Sequence, residues 1–354
     1  MVRLEGIDAD LDGLIDTDPK KISWTRALRA DLSKGKLLPE NEGELITSLY
    51  RPFSKQWLQY SRRLNEVVGQ RDRIFPSQQS NLAILVTGVG SKGAASCLII
   101  DTPPSRDTIE KGQYFPFAVF SIQTDDASDL FGSGVGQVKK RDGVTDAGLK
   151  HFQDAYPGET ITKEDLFYYV YGLLHSEDYR AKYADNLSKE LPRIPRVKTA
   201  ADFWAYRRAG RTLGDLHVNY ETVEPYPVTI KQGDLRLADI KNPEAFYRVT
   251  KWAFGKSSKD KDKTTVIYNP NITMQDVPLA AYDYVVNGKP ALEWVMERQV
   301  VKIDKDSGIE NDANRYANET MNNPAYPLEL FQRVITVSLR TMEIVRGLPK
   351  LEVM

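Results

Sequence analysis

The sequence predicts an α+β fold, with antiparallel sheet regions, a central helical subdomain and C-terminal helices. Three observations carry this reading. Short apolar runs separated by hairpin-length links fill residues 42–124. Three helix signals stand end to end across 160–221. Strand-like runs return after 224 and give way to a long amphipathic stretch at 328–346. Strands and helices that come in blocks, not in alternation, argue against a regular doubly wound sheet.

The chain has 354 residues, 41% of them hydrophobic, which is enough for ordinary buried cores. Its punctuation divides it into a linker with a short helix (1–41), a β-rich subdomain (42–145), a helical subdomain (146–223) and a mixed α/β subdomain ending in a long helix (224–354). The short helix is expected over 23–33. Strands are expected at 57–61, 82–87, 96–101 and 115–122, because these runs are apolar and bounded by turn residues. Residues 123–142 are polar and glycine-rich and read as a loop.

The helical tract is legible from its caps. Thr162 with Asp165 has capping-box spacing, and Phe167, Val170, Tyr171 and Leu174 follow at helical intervals. Ser176 restarts the chain, and Tyr179, Tyr183, Leu187 and Leu191 form a stripe of period four. Pro192 and Pro195 end it, since proline has no N–H to donate. Thr199 with Asp202 opens a third helix. Its inner face is Phe203, Tyr206, Leu213 and Leu216; its outer face carries Arg207, Arg208 and Arg211.

Beyond it, strands are expected at 226–231, 247–254 and 264–269, with the charged segment 255–263 as a hairpin tip. A helix over 278–286 ends at Asn287–Gly288, a C-cap pair. Pro290 suits the first turn of another helix that runs through Gln299. Gly347 and Pro349 close the last helix.

Several motifs are degraded. Asp8–Gly13 (DADLDG) begins like a calcium loop, but Pro19 stands where a bidentate Glu is needed. Gly88–Gly93 (GVGSKG) has dinucleotide-loop spacing with no helix after it, so a hairpin turn is expected, with Lys92 at its tip. FGSGVG at 131–136 and NPAY at 323–326 are distant, incomplete versions of methyltransferase motifs. His151, His175 and His217 stand alone in sequence and suit capping or packing. The single cysteine, Cys97, excludes an internal disulfide and lies in an apolar run, which suits a buried strand. No apolar run approaches the roughly 20 residues that span a bilayer. A reducing bacterial cytoplasm is the expected compartment.

Longer segments carry a resemblance. FYYVYGLLHSEDYRAKYADNLSKELPRIP and DFWAYRRAGRTLGDLHVNYE are similar to the C-terminal specificity domain of type ISP restriction–modification enzymes. In the same order come YRPFSKQWLQYSRRLNE, ILVTGVGSKG, YFPF, AYDYVVNGKPALEWVMERQ, DSGIENDANRY and LFQRVITVSLRTMEIVRGLP. The resemblance implies a domain that follows a nuclease, a helicase-like translocase and an adenine methyltransferase, and that reads the DNA target for them. It implies no catalysis by this chain. S-adenosylmethionine, ATP and magnesium would serve the upstream domains. Double-stranded DNA and the neighbouring methyltransferase and translocase domains would be its partners, with no membrane.

The formal net charge is −1, which is unusual for a free-standing DNA binder but leaves local basic clusters. Base edges are read by Arg, Lys, Asn and Gln, whereas phosphate contacts fix register. Three regions combine such residues. Gln137, Lys139, Lys140 and Arg141 lie in the polar loop. Lys256, Lys259 and Lys261 lie at the charged hairpin tip, suited to phosphate. Arg298, Gln299, Lys302, Asn311, Asn314 and Arg315 lie between the last two helices. A non-catalytic module that couples translocase to methyltransferase is the alternative, favoured by the near-neutral charge and the aromatic helix faces; Arg207, Arg208 and Arg211 suit docking a neighbouring domain as well as touching DNA.

Overall fold

The computed structural model describes residues 13, 15–123, 137–235, 239–256 and 260–354. Helix α1 (Arg26–Ser33), capped by Thr25, precedes a hairpin of β1 (Glu44–Arg51) and β2 (Ser54–Tyr60). A single turn, α2 (Arg71–Ile74), leads into a three-stranded antiparallel sheet. Its order is β4 (Cys97–Ile100), β3 (Ala83–Val86), β5 (Gln113–Pro116).

That sheet separates two hydrophobic cores. Successive side chains on a strand point to opposite faces. Ala83, Leu85, Leu98 and Ile100 therefore enter one core, while Ile84, Val86, Cys97 and Ile99 enter the other. Burial on both sides is why these strands read as unbroken apolar runs rather than alternating ones.

The second core is helical. It holds α3 (Asp146–Gln153), α4 (Lys163–His175), α5 (Glu177–Lys182), α6 (Ala184–Leu187) and α7 (Ala200–Val218). The Thr162–Asp165 capping box is formed in both directions, and Ser176 and Thr199 cap α5 and α7 through their hydroxyls. Tyr169 stacks on Phe203 with ring centroids 4.8 Å apart, and Phe203, Tyr206 and Leu213 are fully buried.

The first core joins the three-stranded sheet and the β1–β2 hairpin to the C-terminal third. A sheet ordered β8 (Thr229–Ile230), β11 (Ile272–Gln275), β10 (Lys261–Asn269), β9 (Ala253–Lys256) packs there, after the short helix α8 (Pro243–Tyr247). The hairpin β12 (Val285–Val286)–β13 (Lys289–Pro290), helix α9 (Ala291–Arg298) and hairpin β14 (Val301–Ile303)–β15 (Glu310–Asp312) follow. Then come a single turn, α10 (Ala313–Arg315), a π-helical turn and the closing helix α11 (Tyr326–Arg346).

The structure corrects several expectations. Strand β1 was not foreseen. The run at 115–122 is two strands that part at Phe117. The expected strand at 247–254 opens instead with the end of α8, which Asn242 caps and Pro243 starts. The helix expected at 278–286 is a 3-10 turn followed by β12. Asn287 and Gly288, both at positive φ (51° and 75°), form the tight turn of a hairpin and not a helix C-cap. The tyrosine stripe from Tyr179 is broken at Tyr183, between α5 and α6. Most relevant to function, residues 137–142 form a strand, β7, and not a loop.

Candidate nucleic-acid interface

Strand β7 (Gln137–Asp142) pairs with β6 (Ala118–Gln123) as an antiparallel ribbon, Ser121 opposite Lys139 and Val119 opposite Arg141. Phe120, opposite Lys140, is buried and roots the ribbon's inner face. Lys139 and Arg141 project from the outer face. Lys139, Lys140 and Arg141 are exposed, and none meets a carboxylate among the described residues. Lys140 approaches only the Phe117 ring, 5.7 Å from its centroid. Gln137 joins through its backbone register with Gln123.

The second set is a lysine pair. Lys256 and Lys261 stand directly opposite each other across β9 and β10, both exposed. Like charges at facing positions oppose folding by a few tenths of a kcal/mol or more, so the pair suits an anion that lies between them. Lys259 lies outside the described residues.

The third set divides. Gln299 and Asn314 are buried, at 3% and 4% exposure. The Asn314 amide exchanges two 2.9 Å hydrogen bonds with the backbone of Val249, a strand-like clasp to a distant segment. Gln299 ends α9, and its carbonyl accepts the Trp252 indole N–H at 2.7 Å. These two are core residues and cannot reach a base edge. Arg298 is mostly enclosed; it bonds Glu297 at 2.8 Å and lies 5.8 Å from the Tyr50 and Trp294 ring centroids. Lys302 and Asn311 face each other across the β14–β15 hairpin, exposed, with Lys302 only 3.7 Å from Glu297. Arg315 is exposed and meets no carboxylate among the described residues.

The arginine face of α7 is largely paired. Arg207 bonds Asp165 at 2.7 Å, and Arg211 bonds Glu164 at 2.6 Å and Asp215 at 3.2 Å. Two of the three arginines thus tie α7 to α4, and only Arg208 stays open. Arg207 and its Thr162 cap hold the Asp165 carboxyl below its usual range against the effect of burial.

The glycine-rich turn between β3 and β4 already holds an anion. The Glu110 carboxylate accepts the backbone N–H groups of Lys92 (3.0 Å) and Gly93 (3.3 Å). A cofactor phosphate would have to displace it, so these residues do not fit a dinucleotide. NPAY is equally occupied. Tyr326 is buried and its hydroxyl donates to Glu221 at 2.6 Å, while Lys55 bonds the same carboxylate at 2.7 Å.

Two histidines isolated in sequence meet in space. His175 and His217 lie 5.4 Å apart by ring centroid, both buried. The Tyr171 hydroxyl accepts the Ile99 N–H at 3.0 Å and is hydrogen-bonded to His217 Nδ1 at 2.6 Å, while His217 Nε2 is hydrogen-bonded to the Thr341 hydroxyl at 2.8 Å. Cys97 Sγ lies 3.5 Å from His175 Nδ1. This pairing is no nucleophile: burial pushes the thiol up to about 11 and holds His175 well below its ordinary value.

Exposed cations thus gather on short β-ribbons, beside a helical body in which Arg207 and Arg211 are paired with carboxylates. The chain belongs to the Type ISP C-terminal specificity domain family, whose model matches residues 3–330. Solved structures agree. The ATP-dependent Type ISP restriction-modification enzyme LlaBIII bound to DNA is 32% identical with a TM-score of 0.79, over 95% of this chain and 20% of its own. A nuclease-deletion mutant of the Type ISP enzyme LlaGI with a DNA substrate mimic is 34% identical (TM-score 0.76; 99% and 25% covered). The DrdV–DNA complex is 30% identical (TM-score 0.76; 97% and 32% covered). The chain thus spans about a fifth to a third of these enzymes' length. Comparison with curated proteins gives no match. No helix among the described residues is long and apolar enough to cross a membrane.

Proposed function

We propose that this chain chooses the site on duplex DNA at which the catalytic domains of a longer restriction–modification polypeptide act, and makes or breaks no bond itself. Its family membership over nearly the whole chain, with relatives solved on DNA, carries this reading. Adenine methylation with S-adenosylmethionine, and ATP- and magnesium-dependent translocation and cleavage, fall to upstream domains in the bacterial cytoplasm.

The division of labour follows from the ribbons. A two-stranded ribbon fits the major groove, where arginine and lysine read guanine. The β6–β7 ribbon, with Lys139 and Arg141 on its open face, takes that role. The Lys256–Lys261 pair is a phosphate clamp, which positions without reading. Lys302, Asn311 and Arg315 form a third contact. A coupling role finds less support, because Arg207 and Arg211 are already paired with carboxylates of the same helical subdomain.

Exchanging this chain for the corresponding domain of a relative, in the full polypeptide, tests the reading. The methylated sequence is expected to follow the exchanged domain. An unchanged methylated sequence would overturn it.

A further inference from the structure

We propose that Gln78 and Gln79 form a second base-reading element, directed at adenine, beside the β6–β7 ribbon; this rests on the recognition role proposed above. Both side chains are exposed, and neither amide has a hydrogen-bond partner among the described residues. A glutamine amide sets one donor beside one acceptor, the pattern that matches adenine N6 and N7 in the major groove.

The segment that carries them is held firmly. Gln79 N donates to the Pro76 carbonyl at 3.1 Å in a turn, and the Ser77 hydroxyl is bound to the Glu44 carboxylate at 2.6 Å. Asn81, buried at 7% exposure, fastens the far end. Its amide donates to the carbonyls of Ile74 (2.8 Å) and Ala118 (2.7 Å), and its oxygen accepts the Ala118 N–H at 3.1 Å. Ala118 is the first residue of β6. One side chain therefore fixes the glutamine segment to the root of the ribbon.

The two elements also share a groove. Arg73, Gln78 and Gln79 line one wall, and Ser121 and Val138 of the ribbon line the other. Two of its three carboxylates are answered from within, and the third, Glu42, lies 4.0 Å from Arg63. Asp72 accepts from the Tyr60 hydroxyl at 2.5 Å and pairs with Arg62; Glu44 meets Arg71 at 3.3 Å. Arg73 holds only the Gln70 amide, at 3.0 Å, and so leaves its charge at the rim. A held polar loop beside a basic ribbon, with neutralised acids beneath, presents hydrogen-bonding edges to bases without repelling the backbone.

The test is mapping of the methylated sites in a randomised duplex library by the full polypeptide, compared with its Q78A/Q79A variant. The variant is expected to lose preference by about five- to a hundredfold at one or two A·T positions and to keep the rest. The single substitutions Gln78→Arg and Gln79→Arg are expected to turn an adenine preference toward guanine in at least one of the two. Methylation of one and the same sequence by the parent polypeptide and all three variants would overturn this inference alone. Methylation by the parent polypeptide with no sequence preference would overturn the recognition role and this inference with it.

Discussion

Gly172 on α4 and Gly210 on α7 face each other where the two helices cross. A Cβ added to Gly172 would sit 3.0 Å from the Gly210 backbone nitrogen, and one added to Gly210 would sit 2.7 Å from the Gly172 nitrogen. Each would also strike a carbonyl of the opposite helix, at Tyr206 and Tyr168. The crossing is therefore backbone on backbone, and it sets how closely the aromatic core can pack.

Gly172→Ala or Gly210→Ala is expected to destabilise the chain by about 1–3 kcal/mol, because overpacking outweighs the ~1 kcal/mol that alanine adds to helix propensity. The urea midpoint measures it. A midpoint at or above that of the parent would refute the close crossing.

Stability should fall in mild acid. Burial holds His217 down at about 3 and His175 well below 6.5, while both titrate near 6.5 once unfolded. Between those values the unfolded chain binds more protons, so stability is full above about pH 6.5 and declines as pH drops toward 3. Each histidine can contribute up to about 1.4 kcal/mol per pH unit. The surroundings reinforce this: Arg180 lies beside His175, and Tyr171, Tyr284 and Thr341 offer no negative charge. Denaturation midpoints at pH 7.5, 6 and 5 are the measurement, and a flat series would count against the buried neutral pair.

Glu221 joins Lys55 and Tyr326 at a mostly enclosed site, with side chains 14% and 16% exposed for the ion pair. Removing the carboxylate strands a lysine charge. Glu221→Ala is expected to cost about 3 kcal/mol, and Tyr326→Phe about 1 kcal/mol. Tyr326→Phe should leave the methylated sequence of the full polypeptide unaltered. A change of sequence would mean that NPAY touches DNA after all.

Removing the facing lysines should separate stability from binding. In K256A/K261A, loss of like-charge opposition is expected to stabilise the fold by a few tenths of a kcal/mol. DNA affinity should drop for all sequences alike, and the salt dependence should flatten by a slope of about 2. A sequence-selective loss would make these lysines readers and not a clamp.

Local signals were legible where the physics is local. Thr162, Ser176 and Thr199 announced their helices because a cap needs only three or four neighbouring residues. Asn287–Gly288 misled because a C-cap and a tight hairpin both need positive φ, and only the partner strand decides between them. Gln299 and Asn314 misled for a related reason. A polar residue between helices looks exposed until a distant backbone claims it, and Val249 stands 65 residues from Asn314. The pairing of Arg207 with Asp165, over 42 residues, is equally invisible to spacing. The Lys139–Arg141 cluster was found by its charge, but its place on a ribbon depended on pairing across a segment that reads as loop.

Cys97 is the chain's one cysteine, sealed beneath the helices with its thiol raised to about 11. The folded chain is therefore expected to be nearly silent toward maleimides and similar reagents at neutral pH. A cysteine placed at Ser121 or Gln79 would take a fluorophore or a crosslinker selectively, with no need to strip the natural thiol first. The domain thus arrives ready for distance measurements between its ribbon and a bound duplex.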